Sequence, residues 1–410
     1  MTNYLTSELQ PGMEVTETIF TSKGQMIMEA GTALTSELIS RLVFYGIEKV
    51  KAQQLPAAPE PMGGAQKGIP KPLSGTSGGA SESNPAAAPG TTPEPAPKQA
   101  AEPEPAVAIP SRSRASNPSY AQKIKAQPEF MAYQIEYQKK AYNIRSLFDS
   151  IIKHPEEPVD LQRILNSCYM LAGMTKNTID FFDKMHNMRL DDDSVYSHCL
   201  NVALIARQMG KWIQLPQEDL DTLVLCGLFH DIGKVQIPDE ILNKPGKYTK
   251  EEFALIQQHP TVSYQLLEKL PIDERIKKAA LMHHERCDGS GYPQGLKAGE
   301  IDDFAEIIAI ADVYDAMTAA RSYRSPLCPF QAIGMFEKDG LQLYSPKYIL
   351  TFLKRIANTY QNNRVLLNNG QSANVVMINS KHLTRPMLQM DDGSVVDMMD
   401  LPDLEIIKII

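Results

Sequence analysis

The chain has no apolar run approaching the ~18 residues needed to span a bilayer, and its first ten residues, MTNYLTSELQ, lack the charged and apolar regions of a signal peptide. Both absences predict a soluble, cytoplasmic protein. Cysteine is scarce: five, an odd number, stand at 168, 199, 226, 287 and 328 with no CxxC spacing. That scatter argues against a disulfide framework and suits a reducing compartment. Positive charge is short as well, with 41 Lys and Arg against 49 Asp and Glu and a formal net charge of −8. Such a balance has no general attraction for DNA or an anionic membrane. An anionic substrate must then be drawn by a local cationic site.

Histidine is the most telling scarcity. Only eight occur in 410 residues, and five of them lie on or end the apolar stripes of predicted helices. His198 leads into Val202, Ala206, Met209 and Ile213, while Leu220, Val224 and Gly227 run up to His230 and Asp231. Leu255 precedes His259 by four, Ile276, Ala279 and Ala280 precede His283 and His284, and Ala305 and Ile308 precede Asp312. Five helices are thus expected to turn polar residues inward. A single buried histidine is ordinarily satisfied by a backbone carbonyl, but seven inward imidazoles and carboxylates together call for metal. His154, His186 and His382 fall off the stripes and read as surface residues. Cys199 and Cys287 sit beside candidate ligands, and neither is expected to bind.

The length allows two or three domains. Residues 1–52 read as a small α+β module: strands near 13–20, 26–29 and 47–50, and a helix capped by Thr35 or Ser36 that Gly46 stops. Residues 53–125 change to Pro, Ala, Gly and Ser with hardly a large apolar side chain, a composition that cannot bury a core and reads as a disordered linker. From 126 to 361 the pattern is helical almost throughout. From 362 to 410 strand signals return around Asn369-Gly370 and Asp392-Gly393 turns, predicting a small antiparallel β unit. The expected fold class is mainly α, with a small N-terminal α+β module and a C-terminal β tail.

Two strings carry more specific chemistry. In Leu228-Phe229-His230-Asp231-Ile232-Gly233-Lys234 a carboxylate stands beside a histidine, able to bridge two cations, and Lys234 follows with a point charge for a phosphate oxygen. Further on stand His283-His284-Glu285-Arg286-Cys287-Asp288-Gly289-Ser290-Gly291-Tyr292-Pro293 and Ile307 to Arg324, IIAIADVYDAMTAARSYR. With Ile237 to Glu252 and His259-Pro260, these make roughly residues 134–360 resemble the HD-GYP family of bacterial cyclic di-GMP phosphodiesterases.

The resemblance implies a helical HD-type metal hydrolase domain whose ligands are His198, His230, Asp231, His259, His283, His284 and Asp312, the set the periodicity also selects. It implies two divalent metal ions, with iron or manganese favoured, bridged by Asp231, and attack on phosphorus by a hydroxide between them that yields pGpG and then GMP. Asp231 and Lys234 would be catalytic. Lys234, Tyr292, Arg321 and Arg324 would contact the substrate, the aromatic and guanidinium planes stacking on guanine or forking onto phosphate. Members with a third metal carry a glutamate one turn before the first histidine ligand. Here that position is Ser194, which implies two ions. The alternatives are a non-catalytic module that binds cyclic di-GMP or a signalling protein, and a hydrolase of another nucleotide such as cyclic GMP-AMP or guanosine tetraphosphate.

Overall fold

The computed structural model describes residues 2–20, 26–35, 38–39, 42, 47, 49–54, 120–188, 194–244, 246–319 and 327–410. The helix expected after Ser36 and the span 55–119 of the expected linker lie largely or wholly outside those residues. So do Asp191, Asp192 and Asp193. At the linker's edges the structure is more ordered than composition suggests: Gln53 and Gln54 pair with Glu14 and Met13 in a strand, and a helix begins at Tyr120.

Strands β1 (Thr2–Leu5), β2 (Met13–Val15), β3 (Ile19–Phe20), β4 (Met26–Met28) and β5 (Lys49–Gln54) form the N-terminal part. They pair as an antiparallel sheet in the order β1-β5-β2 and a β3-β4 hairpin, around a core of Leu9, Met13, Val15, Ile27, Met28, Leu34, Leu42, Val50 and Ala52. The edge strand β1, which no periodicity marked, is held by its ladder to β5.

The rest is mostly helical. In order come α1 (Tyr120–Lys125), α2 (Pro128–Lys153), α3 (Leu161–Gly173), α4 (Thr178–Met188), α5 (Val195–Trp212) and α6 (Gln217–Phe229). A 3-10 turn (Ile232–Gln236) leads to α7 (Asp239–Leu242), α8 (Lys250–Ile256), α9 (His259–Glu268), α10 (Glu274–Met282) and α11 (Asp303–Thr318). Then follow α12 (Pro329–Met335), a π turn (Phe336–Gly340), α13 (Leu341–Leu343) and α14 (Pro346–Thr359).

α2 starts on a proline, whose missing N–H costs nothing at a helix start, and buries Phe130, Tyr133, Tyr137, Ala141, Ile144, Phe148 and Ile151 at three-to-four spacing. Its Tyr137 hydroxyl donates to Asn201 Oδ1 of α5 at 2.7 Å. α5 and α11 are buried nearly all round, as helices at the centre of a large core must be. They carry His198 and Asp312 into that centre.

Strands β6 (Arg364–Leu367), β7 (Ser372–Met377), β8 (Met387–Met390), β9 (Val395–Asp397) and β10 (Ile406–Ile409) close an antiparallel sheet in the order β10-β6-β7-β8-β9. Its inward Val365, Leu367, Ala373, Val375, Leu388 and Ile406 belong to the same apolar core as the helices. No helix among the described residues is long and apolar enough to cross a membrane.

Candidate metal centre

The candidate ligands meet because most of them sit at helix ends. His230 and His283 are the C-caps of α6 and α10, His284 follows, Asp231 precedes the 3-10 turn, and His259 opens α9 just past the end of α8. At such ends the last carbonyls have no intrahelical partner. The ring nitrogens use them: Nδ1 of His230 lies 2.8 Å from the Gly227 carbonyl, that of His259 2.6 Å from Ile256, and that of His283 2.9 Å from Ala280. Each Nδ1–H donates to a carbonyl three residues earlier. Each Nε2 is thereby turned into the centre, where a neutral ring presents its lone pair.

Asp231 lies among these nitrogens, fully buried. Its Oδ2 is 3.2 Å from His230 Nε2 and 3.4 Å from His198 Nε2, and its Oδ1 is 3.1 Å from His259 Nε2 and 3.6 Å from His283 Nε2. Two sets of ligand atoms result, His198, His230 and Asp231 on one side and Asp231, His259, His283 and His284 on the other, with Asp231 in both. Asp312 belongs to neither tight set. It stands between them, Oδ1 3.0 Å from His198 Nε2 and Oδ2 3.9 Å from His284 Nδ1. Neither set contains a cysteine.

These residues fit metal ions on their own chemistry. His259 Nε2 and His283 Nε2 face each other at 3.3 Å while both Nδ1 hydrogens are spent on carbonyls, so two lone pairs converge on one point. His230 Nε2 and Asp231 Oδ1 are buried without a hydrogen-bond partner, although His259 Nε2 stands within reach of the latter. Buried polar atoms left in this way are costly, and cations satisfy all of them together. Imidazole and carboxylate donors at these spacings suit a first-row divalent ion.

Charge is distributed unequally. Burial pushes His283 down to about 4, aided by His230 and His259, and burial also holds His259 and His284 below the ordinary histidine value, which favours the neutral form of all three. For His198 and His230 burial works in the same direction but is outweighed: hydrogen bonds to Asp231, Asp312 and Asp315 raise His198 well above its usual value, and Asp231 raises His230 to about 10. Burial alone would raise Asp231, but the charges of His230 and Lys234 hold it well below the carboxylate range; Asp312 is held down chiefly by His198.

Lys234 is within the centre, its Nζ 2.5 Å from Asp231 Oδ2 and its side chain 19% exposed, which leaves it open to solvent on one side. Tyr292 stacks on His284 with ring centroids 4.7 Å apart and planes at 29°. Arg321 and Arg324 lie outside the described residues. Of the histidines read as surface, His154 and His382 are exposed and His186 is half-buried.

Residues 170–348 match the HD domain family. That segment is an HD domain. The chain is 38% identical over 165 residues to a cyclic di-GMP phosphodiesterase of Thermotoga maritima, covering 40% of this chain and 45% of that protein. It is 36% identical over 205 residues to a cyclic di-GMP phosphodiesterase response regulator of Xanthomonas campestris, covering 49% and 53%. A 3'3'-cGAMP-specific phosphodiesterase of Vibrio cholerae is 33% identical over 201 residues, covering 48% and 43%. The chain spans about half the length of these curated relatives. Among solved structures, an HDG"Y"P protein from Bdellovibrio bacteriovorus aligns over 87% of this chain and 99% of its own, at a TM-score of 0.41 and 13% identity.

Two supports of this centre were not singled out from sequence. Asp315 Oδ2 lies 2.8 Å from His198 Nδ1, and its signal was the Asp-x-x-Asp spacing that puts it on the face of Asp312. Glu285, 2% exposed, accepts hydrogen bonds from the backbone N–H of Gln294 at 2.7 Å and Leu296 at 2.9 Å, clasping the loop that presents Tyr292. The same loop needs Gly291, because a Cβ there would lie 2.5 Å from backbone atoms of His284, Glu285 and Arg286. Glu285→Ala should lower stability by about 1–3 kcal/mol, the cost of leaving buried polar groups unsatisfied. An unchanged denaturant midpoint would show that solvent or another side chain takes over the clasp.

Proposed function

We propose that this protein is a metal-dependent phosphodiesterase that hydrolyses cyclic di-GMP to pGpG and onward to GMP. The observation that carries the reading is the sharing of buried Asp231 between two sets of histidine nitrogens, the arrangement that two adjacent divalent ions require. His198, His230 and Asp231 would hold one ion, Asp231, His259, His283 and His284 the other, and Asp312 would complete the set. Iron or manganese suits these donors. When bound, the two ions supply an activated water and offset charge at phosphorus.

The protein's own groups do the rest. Lys234, beside Asp231 and partly open to solvent, is placed to lay its ammonium against a non-bridging phosphate oxygen. Tyr292, whose ring lies against His284, offers a face for guanine at the rim. Arg321 and Arg324 would add cationic contacts to the dinucleotide. Relatives named for cyclic di-GMP support this substrate, and those named for 3'3'-cGAMP mark the competing one.

The deciding experiment assays metal-loaded protein against cyclic di-GMP, 3'3'-cGAMP and guanosine tetraphosphate, with products separated by chromatography. Conversion of cyclic di-GMP to pGpG is expected. Preference for either other nucleotide would change the substrate, and binding without turnover of any would make this a receptor. Lys234→Ala should lower turnover by about 100- to 1,000-fold, because a fixed cation acts most strongly on charge that develops in the transition state. Metal content should hold. Parallel loss of metal would make Lys234 a prop for Asp231 instead.

A further inference from the structure

His198 differs from its partners in where it sits. His230, His259 and His283 stand at or just past helix C-termini, where unpaired carbonyls accept their Nδ1 hydrogens. His198 is the fourth residue of α5, whose N-cap is Ser194. In a first turn the unpaired backbone groups are N–H donors, so no nearby carbonyl is free to accept from an imidazole. The acceptor must come from another element. α11 supplies it: Asp315 Oδ2 lies 2.8 Å from His198 Nδ1, and one turn earlier Asp312 Oδ1 lies 3.0 Å from His198 Nε2. Asp315 is 1% exposed, buried as deeply as the candidate ligand His259.

We propose that Asp315 is the positioning residue for the His198 side of the metal pair. It accepts the Nδ1 hydrogen of His198, which fixes that tautomer and ring angle and leaves Nε2 directed at the position shared with His230 and Asp231. A carboxylate is a stronger acceptor than the carbonyls behind the other three histidines, and it makes its imidazole the more electron-rich donor. The two metal positions are therefore unequal: one has His259 and His283 with their Nδ1 hydrogens on backbone carbonyls, while the other adds to His230 a histidine backed by a buried carboxylate. Ser194 sharpens the difference. Its hydroxyl accepts from the Ser197 N–H, so the turn preceding His198 is closed by a cap and offers no carboxylate at that position.

This rests on the two-ion reading above, and the test separates the two. Metal-free full-length protein is titrated calorimetrically with Zn²⁺, and the His198 Nδ1 proton is followed by ¹⁵N NMR in the zinc-loaded form. Wild type should take two equivalents and show His198 protonated at Nδ1. Asp315→Leu should lose one equivalent and keep the other. Asp315→Asn, whose amide oxygen still accepts from Nδ1, should retain both ions with one of them weakened by about 10- to 100-fold. Two equally tight ions in both variants, or equal weakening of both ions, would overturn the positioning role while leaving the metal centre intact. A wild-type chain that takes up no zinc would overturn the centre itself and this proposal with it. Should Asp315→Leu fail to fold, the split between the two affinities in Asp315→Asn decides.

Discussion

Asp231→Ala should take turnover to background, a loss on the order of 1,000-fold or more, while the circular dichroism of the helices stays close to wild type. Asp231 is the one residue common to both ligand sets, and its two oxygens face different histidines: Oδ2 towards His198 and His230, Oδ1 towards His259 and His283. Removing it takes away the group able to hold two cations close together. It also frees Lys234, whose ammonium is held 2.5 Å from Oδ2. The helices meeting there are fastened by a continuous apolar core that does not depend on this carboxylate, so the fold should survive. The measurement is steady-state turnover together with metal content, which should fall below that of the wild type. Wild-type turnover in the variant would remove the bridging role.

Gly233→Ala is the second large effect expected, and it works through backbone. A Cβ at residue 233 would strike the His259 carbonyl oxygen and lie 2.7 Å from Ser263 N and 2.8 Å from Ser263 Oγ. The Ile232–Gln236 turn also donates from Gly233 N to Ser263 Oγ at 2.8 Å, which ties it directly onto α9. Any retreat of the turn widens the 3.1 Å separation of Asp231 Oδ1 and His259 Nε2. A misplacement of order 1 Å at reacting groups costs about 100-fold in rate, and overpacking a close contact costs about 1–3 kcal/mol. Both kcat/KM and the denaturant midpoint should fall. An unchanged kcat would show that the α9 backbone gives way without moving the ligands.

Much of the helical architecture was legible because amphipathic periodicity reports which face of a helix turns inward, and that is a local property of the chain. His198 and Asp312 were found this way and lie in mid-core helices. His259 is buried, but not as the end of the Leu255 stripe: that stripe belongs to α8, which ends at Ile256, and His259 opens the next helix. Strands β1 and β10 were not delimited, since a four-residue edge or end strand carries little periodicity and is defined by the ladder that holds it. Composition placed Gln53 and Gln54 in the linker for the same reason, whereas pairing with Met13 and Glu14 makes them strand.

What the amino-acid order alone determined is the inventory: a mainly helical chain, short of histidine, in which five of eight histidines and two aspartates fall on or at the end of inward stripes. Those are statements about spacing, and spacing is written in the sequence. Tertiary structure alone decided which oxygen faces which nitrogen, that Asp231 stands in both ligand sets, and that Glu285 and Asp315 hold the loop and His198 from behind. The reason is physical. The Asp-x-x-Asp spacing puts Asp315 on the face of Asp312, but which histidine it meets is set by contact between elements 117 residues apart, and no local pattern encodes that pairing.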